Sequence, residues 1–237
     1  MLLFYLRHGE PTYNPDQLTP NGERQAEALA RRLSVYGIDE VYSSSSNRAR
    51  QTAQPTCEIL HRDMIVLDWC NEGHAWNELG VVKENGQRTW GFQHEPTAKL
   101  MASREIFELG DEWYRHEAFP KSFEQGIKRI ERETDAFLLS LGYRHDREAR
   151  AYVAEAPSRR RIALFAHQGF GMAFLSAVLD IPYPTVATRF DMQHSGMSVI
   201  YFDENKPIVV PRLLQLSNDS HLYRHALSTK YNHEFDI

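Results

Sequence analysis

Two apolar runs, Leu2–Leu6 and Ile162–Ala166, lead into histidines, the first through Arg7 to His8 and the second directly to His167. A strand that is apolar at consecutive positions is covered on both faces, as a central parallel strand is between layers of helices. Between and after these runs, strand-like and helix-like segments alternate, which predicts an α/β fold: a three-layer α/β/α sandwich with a mostly parallel sheet.

The intervening segments carry their own signals. Residues 10–20 are rich in Pro, Thr and Asn and read as a loop. Thr19 is a natural N-cap, Pro20 suits the first helical position and Glu23 lies one residue beyond a capping box. Ala26, Leu29, Ala30 and Leu33 share a helical face, and Gly37 suits a C-terminal stop. A short strand is expected at Glu40–Ser43, then a serine turn and a helix from near Asn47, kinked or irregular at Pro55. Residues 64–69 are a third strand candidate. Residues 122–142 read as an amphipathic helix capped by Ser122, and the charged stretch 145–161 as exposed, with Arg159–Arg161 a solvated approach to a strand. Residues 198–203 and 208–217 read as a closing antiparallel pair.

Residues 71–120 lack clean periodicity and hold Trp76, Trp90 and Trp113, three of the four tryptophans. One reading is an insertion or lid over the carboxyl ends of the strands, since long irregular stretches are often functional. The other is a helical subdomain with ordinary core tryptophans. Residues 1–237 are otherwise read as one domain.

The formal net charge of −5 argues against a general nucleic-acid binder, while leaving room for a local basic pocket. Cys57 and Cys70 lack CxxC spacing and read as buried free thiols in a reducing compartment. No apolar run approaches membrane-spanning length, and no signal-like segment opens the chain. A cytoplasmic protein without a membrane partner is expected.

Ligands of open α/β sheets bind at the carboxyl ends of strands. Four such ends carry Arg7-His8, Arg48, Glu72 and His167. Arginine's planar fork suits phosphate oxygens. A neutral imidazole can attack phosphorus, and a carboxyl group can protonate the leaving oxygen and then activate water. Arginines and a second histidine can supply the charge stabilisation, so neither metal nor cofactor is required. His221 and His225 have the four-residue spacing of some zinc motifs, but no acidic or cysteine partner completes a pattern, and they read as surface histidines.

The stretches "LRHGEPTYN", "LTPNGERQAEALARRL", "VYSSSSNRARQTA", "NEG" and "ALFAHQGF", in that order, resemble the signatures of the histidine phosphatase superfamily, also called phosphoglycerate mutase-like. The resemblance implies that His8 becomes phosphohistidine, that Arg7, Arg48 and His167 form a phosphate pocket, and that Glu72 is the proton donor. It further implies phosphoryl-oxygen contacts from Asn14 and from the backbone N–H of Gln168. Two departures stand out: Pro11 where the family often has Thr, and Gln168 where it often has Gly. Glu78 and Glu84 are the fallback proton donors.

A phosphatase acting on a phosphomonoester is therefore expected, with a small phosphorylated substrate or inorganic phosphate as ligand. A cofactor-dependent phosphoglycerate mutase is the alternative, although the arginines that flank the acid in similar mutases are absent from Asn71-Glu72-Gly73-His74-Ala75-Trp76. A phosphate-ester-binding module without catalysis is another. Specificity is expected from His74, Trp76, Arg88, Trp90, His94 and Lys99, which would suit a sugar or nucleotide phosphate. Oligomeric state is not indicated.

Overall fold

The computed structural model describes residues 1–232. In chain order the elements are β1 (Leu2–Arg7), a hairpin of β2 (Pro11–Tyr13) and β3 (Asp16–Leu18), α1 (Pro20–Tyr36), β4 (Glu40–Ser44), α2 (Asn47–Leu60) and β5 (Met64–Leu67). Next come α3 (Glu72–Leu79), a hairpin of β6 (Gly80–Val82) and β7 (Arg88–Trp90), α4 (Glu95–Met101), α5 (Arg104–Leu109) and α6 (Lys121–Ser140). The chain continues through β8 (Tyr143–Asp146), β9 (Ala151–Ala154), β10 (Arg161–Ala166), α7 (Gln168–Leu179) and α8 (Tyr183–Arg189). It closes with β11 (Met197–Tyr201), β12 (Ile208–Val209), β13 (Arg212–Asn218) and α9 (Ser220–Arg224).

The main sheet has the order β13-β11-β1-β10-β4-β5. The pairs β1–β10, β10–β4 and β4–β5 are parallel, and β1–β11 and β11–β13 are antiparallel. Alternate side chains of a strand serve opposite faces. Leu3, Tyr5, Ile162 and Leu164 pack with α6 and α7, whereas Phe4, Leu6, Ala163 and Phe165 pack with Leu29 and Leu33 of α1 and Ala53 of α2. The expected sandwich with a mostly parallel sheet is therefore the fold. Its double burial explains why both strands read as continuous apolar runs.

Local signals account for α1: the Thr19 side chain accepts from Gly22 N–H, and Gly37 closes the helix in the left-handed region. Other expectations need correction. Residues 10–20 contain the β2–β3 hairpin rather than a plain loop, and α2 continues unbroken past Pro55. α6 begins at Lys121 after Pro120, without a side-chain cap from Ser122. The stretch 145–161 is not simply exposed: β8 and β9 form a small sheet with β12, and Tyr152 is fully buried. Arg160 pairs with Glu40 at 2.6 Å and Arg161 binds the carbonyl of Tyr36, so this arginine run ties the sheet to its surroundings. Residues 71–120 fold as short helices and a hairpin, with Trp113 fully buried against Phe119, Phe123 and Tyr183. Among the described residues, no helix is long and apolar enough to cross a membrane.

Candidate active site

Parallel β1 and β10 end side by side, which brings His8 and His167 together across 159 positions of sequence, with ring centroids 5.2 Å apart. The backbone of His8 is pinned on both sides: its N–H donates to the Ala166 carbonyl at 3.0 Å, and its carbonyl accepts from Ser195 N–H at 3.0 Å. Gly9 and Gly22 let this turn lie against α1, because a Cβ on Gly9 would come within 2.7 Å of the Gly22 carbonyl oxygen.

His8 Nδ1 lies 2.7 Å from the Gly9 carbonyl oxygen. A carbonyl only accepts, so Nδ1 carries the proton and Nε2 the lone pair. Arg48 Nε donates to that Nε2 at 3.2 Å. Burial, reinforced by His167, Arg7 and Arg48, holds the imidazole well below its ordinary titration range, so it is neutral.

Arg48, in the first turn of α2, is the hub. Its Nη2 reaches Glu72 at 3.0 Å and His167 Nδ1 at 3.2 Å, and its Nη1 reaches Asp16 at 2.8 Å. His167 Nδ1 therefore accepts, and its Nε2–H faces Ser44 Oγ at 2.8 Å. Burial and the two arginines also hold His167 well below its ordinary range. Glu72 spans the site, its second oxygen accepting from Gly169 N–H at 3.0 Å. His167 is the residue before α7, so the first N–H groups of that helix lack intrahelical partners.

Arg7 is buried. It donates to the Met192 carbonyl and Asn232 Oδ1, and to His194 Nε2 at 2.8 Å, while its own Nε has no partner among the described residues. The Gln168 side chain is engaged by Asp191 and Asn232.

The structure thus brings together Arg7, His8, Arg48, Glu72, His167 and Gln168. Asn14 sits exposed in the β2–β3 turn, whereas its neighbours Tyr13 and Asp16 contact Arg48. Glu78 is engaged by Arg129 in two bonds of 2.7 Å, and Glu84 is exposed in the β6–β7 hairpin. A cavity of about 480 Å³ opens over Arg48 and Glu72, walled by Tyr13, Trp76, Trp90, Gln93 and Asn232. Of the six specificity candidates, Trp76 and Trp90 line it. Arg88 is spent on the carbonyls of Trp76, Asn77 and Gly80, His74 faces Asp68, His94 faces Thr97 and Lys99 faces Glu95. Sequence reading missed Tyr13, Asp16, Ser44, Asp191 and His194. Only Tyr13 and Asp16 carried a signal, as neighbours of the glycine-led loop after His8.

His8, Glu72 and His167 each bring a metal-ligating atom within 4.8 Å of the others. The Arg48 guanidinium already reaches all three. A metal ion would have to displace that cation, so the donor set fits an anion held by arginine better than a metal.

The family model for the histidine phosphatase superfamily (branch 1) matches residues 3–104. Over these residues the chain is similar to the histidine phosphatase superfamily. It is 37% identical over 94 residues, 35% of this chain and 42% of the relative, to "Probable phosphoglycerate mutase GpmB" of Serratia proteamaculans. The Yersinia enterocolitica protein of the same name is 26% identical over 95% of this chain and 96% of its own length. A phosphoserine phosphatase from Entamoeba histolytica, solved with phosphoserine, shares the fold with a TM-score of 0.58 at 18% identity, covering 93% of this chain and 98% of that one. A mycobacterial glucosyl-3-phosphoglycerate phosphatase with inorganic phosphate gives 0.58 at 20% identity, covering 93% and 98%. The proteins that this chain resembles are thus named both as phosphatases and as mutases.

Proposed function

We propose that this chain is a phosphatase that hydrolyses a small phosphomonoester through a phosphohistidine on His8. The observation that carries the reading is the Nδ1–Gly9 hydrogen bond, which leaves the Nε2 lone pair of a neutral imidazole beside the Arg48 guanidinium. In the first step Nε2 bonds to phosphorus and the ester P–O bond breaks. The Glu72 carboxyl gives its proton to the departing oxygen. In the second step water attacks phosphorus, Glu72 takes its proton and the P–N bond breaks, returning His8 and releasing phosphate. Arg7, Arg48 and His167 hold the equatorial oxygens, with the N–H groups at the start of α7, Gln168 among them, as further donors. Asn14 would join only if the hairpin turn moved inward. None of these steps uses a metal or a cofactor.

Segment 71–120 supplies Trp76, Trp90 and Gln93 to the cavity, which supports its role as the part that sets the leaving group. Arg48 is the only cation among the described lining residues. A second phosphate or a carboxylate on the substrate would find no further cation among these residues. An aromatic or sugar-bearing monoester fits better than phosphoglycerate, which favours phosphatase over mutase.

The test is hydrolysis of phenyl phosphate in chelator by wild type, His8→Ala and Glu72→Ala, with quenched reactions analysed for a phosphoryl group on His8. Turnover abolished by His8→Ala, with trapped phosphate, supports the mechanism. Net phosphoryl exchange between phosphoglycerate hydroxyls with little release of phosphate would favour the mutase, and no labelling with any donor would favour a binding module.

A further inference from the structure

A second basic concavity lies away from the His8 site, between α1 and α9. Its volume is about 600 Å³, within the range of small-molecule sites. Arg31, Arg32, Arg224, His221 and His225 line it with the Tyr36 ring, and no carboxylate is among the described lining residues.

Among the described residues, the charge there is largely uncancelled. Arg32 is held by neutral acceptors, Asn218 Oδ1, Ser220 Oγ and Gln215 Oε1, which fix the guanidinium without neutralising it. Among the described residues neither Arg32 nor Arg224 has an acidic partner, and Arg31 meets Glu27 only at 3.5 Å on the exposed rim. His221, expected at the surface, is in fact 3% exposed, and its Nδ1 has no hydrogen-bond partner among the described residues. Burial and the charge of Arg32 push this imidazole down to about 4, against the opposing pull of Asp219. A buried neutral histidine among three arginines marks a region of positive potential.

This concavity is also connected to the catalytic strand end. His221 Nε2 lies 3.0 Å from Ser195 Oγ, and Ser195 N–H donates to the His8 carbonyl at 3.0 Å. The residue before Ser195, His194, is the acceptor for Arg7.

We propose that the concavity between α1 and α9 is a binding site for a small phosphate-bearing metabolite, separate from the His8 pocket. Arginine forks recognise phosphate oxygens, and the Tyr36 ring offers a flat apolar wall to an organic body. The concave shape and the net charge of −5 fit a small anion better than a polyanionic chain. Occupancy bears on Arg32 and α9, and through His221 and Ser195 on the backbone that holds His8.

Inorganic pyrophosphate is the probe, titrated calorimetrically into the full chain at low salt. Wild type is expected to bind two equivalents. Arg31→Gln/Arg224→Gln, which changes exposed side chains without disturbing the Arg32 bonds, should weaken one of them at least tenfold. Arg48→Ala should remove the other and leave the first. A titration of the Ser195 amide resonance in Arg48→Ala should shift with pyrophosphate, and the shift should vanish when Arg31→Gln/Arg224→Gln is added. An isotherm for Arg31→Gln/Arg224→Gln superimposable on wild type would overturn the proposal, whether or not the His8 site proves catalytic.

Discussion

His194 Nε2 accepts a hydrogen bond from Arg7 Nη2 at 2.8 Å, and the two histidine rings His8 and His194 stand 5.8 Å apart. Burial and the charge of Arg7 push His194 down to about 2, so it is neutral and can only orient the guanidinium, not compete with it for an anion. It is a positioning residue. His194→Ala should lower kcat/KM for phenyl phosphate about tenfold, the scale of one charge-assisted hydrogen bond of about 1.5 kcal/mol. The loss should appear in KM as well as kcat, because in the proposed mechanism Arg7 would hold substrate oxygens from the ground state onward. His194→Gln, which keeps an acceptor, should recover part of it. A variant with unchanged kinetics would leave Arg7 oriented by Met192 and Asn232 alone.

Gly169 marks a second close approach. A Cβ there would sit 2.2 Å from the Trp90 ring, so the ring can wall the cavity only because this position has no side chain. Gly169→Ala should cost roughly 1–3 kcal/mol by overpacking and move both Trp90 and the N–H that Glu72 accepts. Turnover of phenyl phosphate should fall with the stability. In a Trp90→Ala background the added cost of Gly169→Ala should shrink, measured by urea denaturation, without restoring aryl preference. Simple additivity of the two losses would refute the contact.

Parts of this site were legible in sequence because they sit at the ends of regular elements. β1 and β10 advertise themselves through double-sided burial, and Thr19 and Gly37 fix α1 by local chemistry that needs no tertiary context. The β2–β3 hairpin was hidden because each strand is three residues long, too short for a period to show, and one begins with Pro11. Asp16 therefore went unnoticed as the partner of Arg48. His194 lies in the irregular connection between α8 and β11 and meets Arg7 only through the fold. β8 and β9 were masked by their charged turn, although Tyr143 and Tyr152 are fully buried. The helices of 71–120 were obscured by their shortness, since a six- or seven-residue helix such as α4 or α5 displays under two turns of periodicity.

Trp113 shows how firmly that segment is built into the main core. Its ring packs on Phe119, Phe123 and Tyr183 and is 1% exposed. Trp113→Ala should cost about 3–5 kcal/mol, read as a lower urea midpoint for the whole molecule in one transition. A separate early transition confined to 71–120 would contradict it and make the segment an independently melting lid.

His145 provides a stability test of opposite pH sense from His8 and His167. Its Nδ1 lies 2.8 Å from Asp135 and its Nε2 2.9 Å from Asp180, with the side chain fully buried and stacked on Tyr152 at 4.0 Å. Carboxylates only accept, so both ring nitrogens must be protonated. Burial pulls its titration down, as does Arg147, but the two carboxylates outweigh them and the net shift is upward from 6.5. A group with a raised folded-state pKa stabilises fully below its unfolded value and loses that contribution as pH rises through the folded one. The His145 contribution should therefore be complete below pH 6.5 and decline on the alkaline side. His8 and His167, held neutral by burial, act in the other direction: their contribution is present above 6.5 and is lost as pH falls below it. Urea midpoints measured from pH 6 to pH 9 should fall for wild type at the alkaline end. His145→Gln should be less stable at pH 6 and show a flatter alkaline limb, since its amide cannot donate to both carboxylates from the ring positions. Parallel curves for the two proteins would mean that His145 is not charged between Asp135 and Asp180.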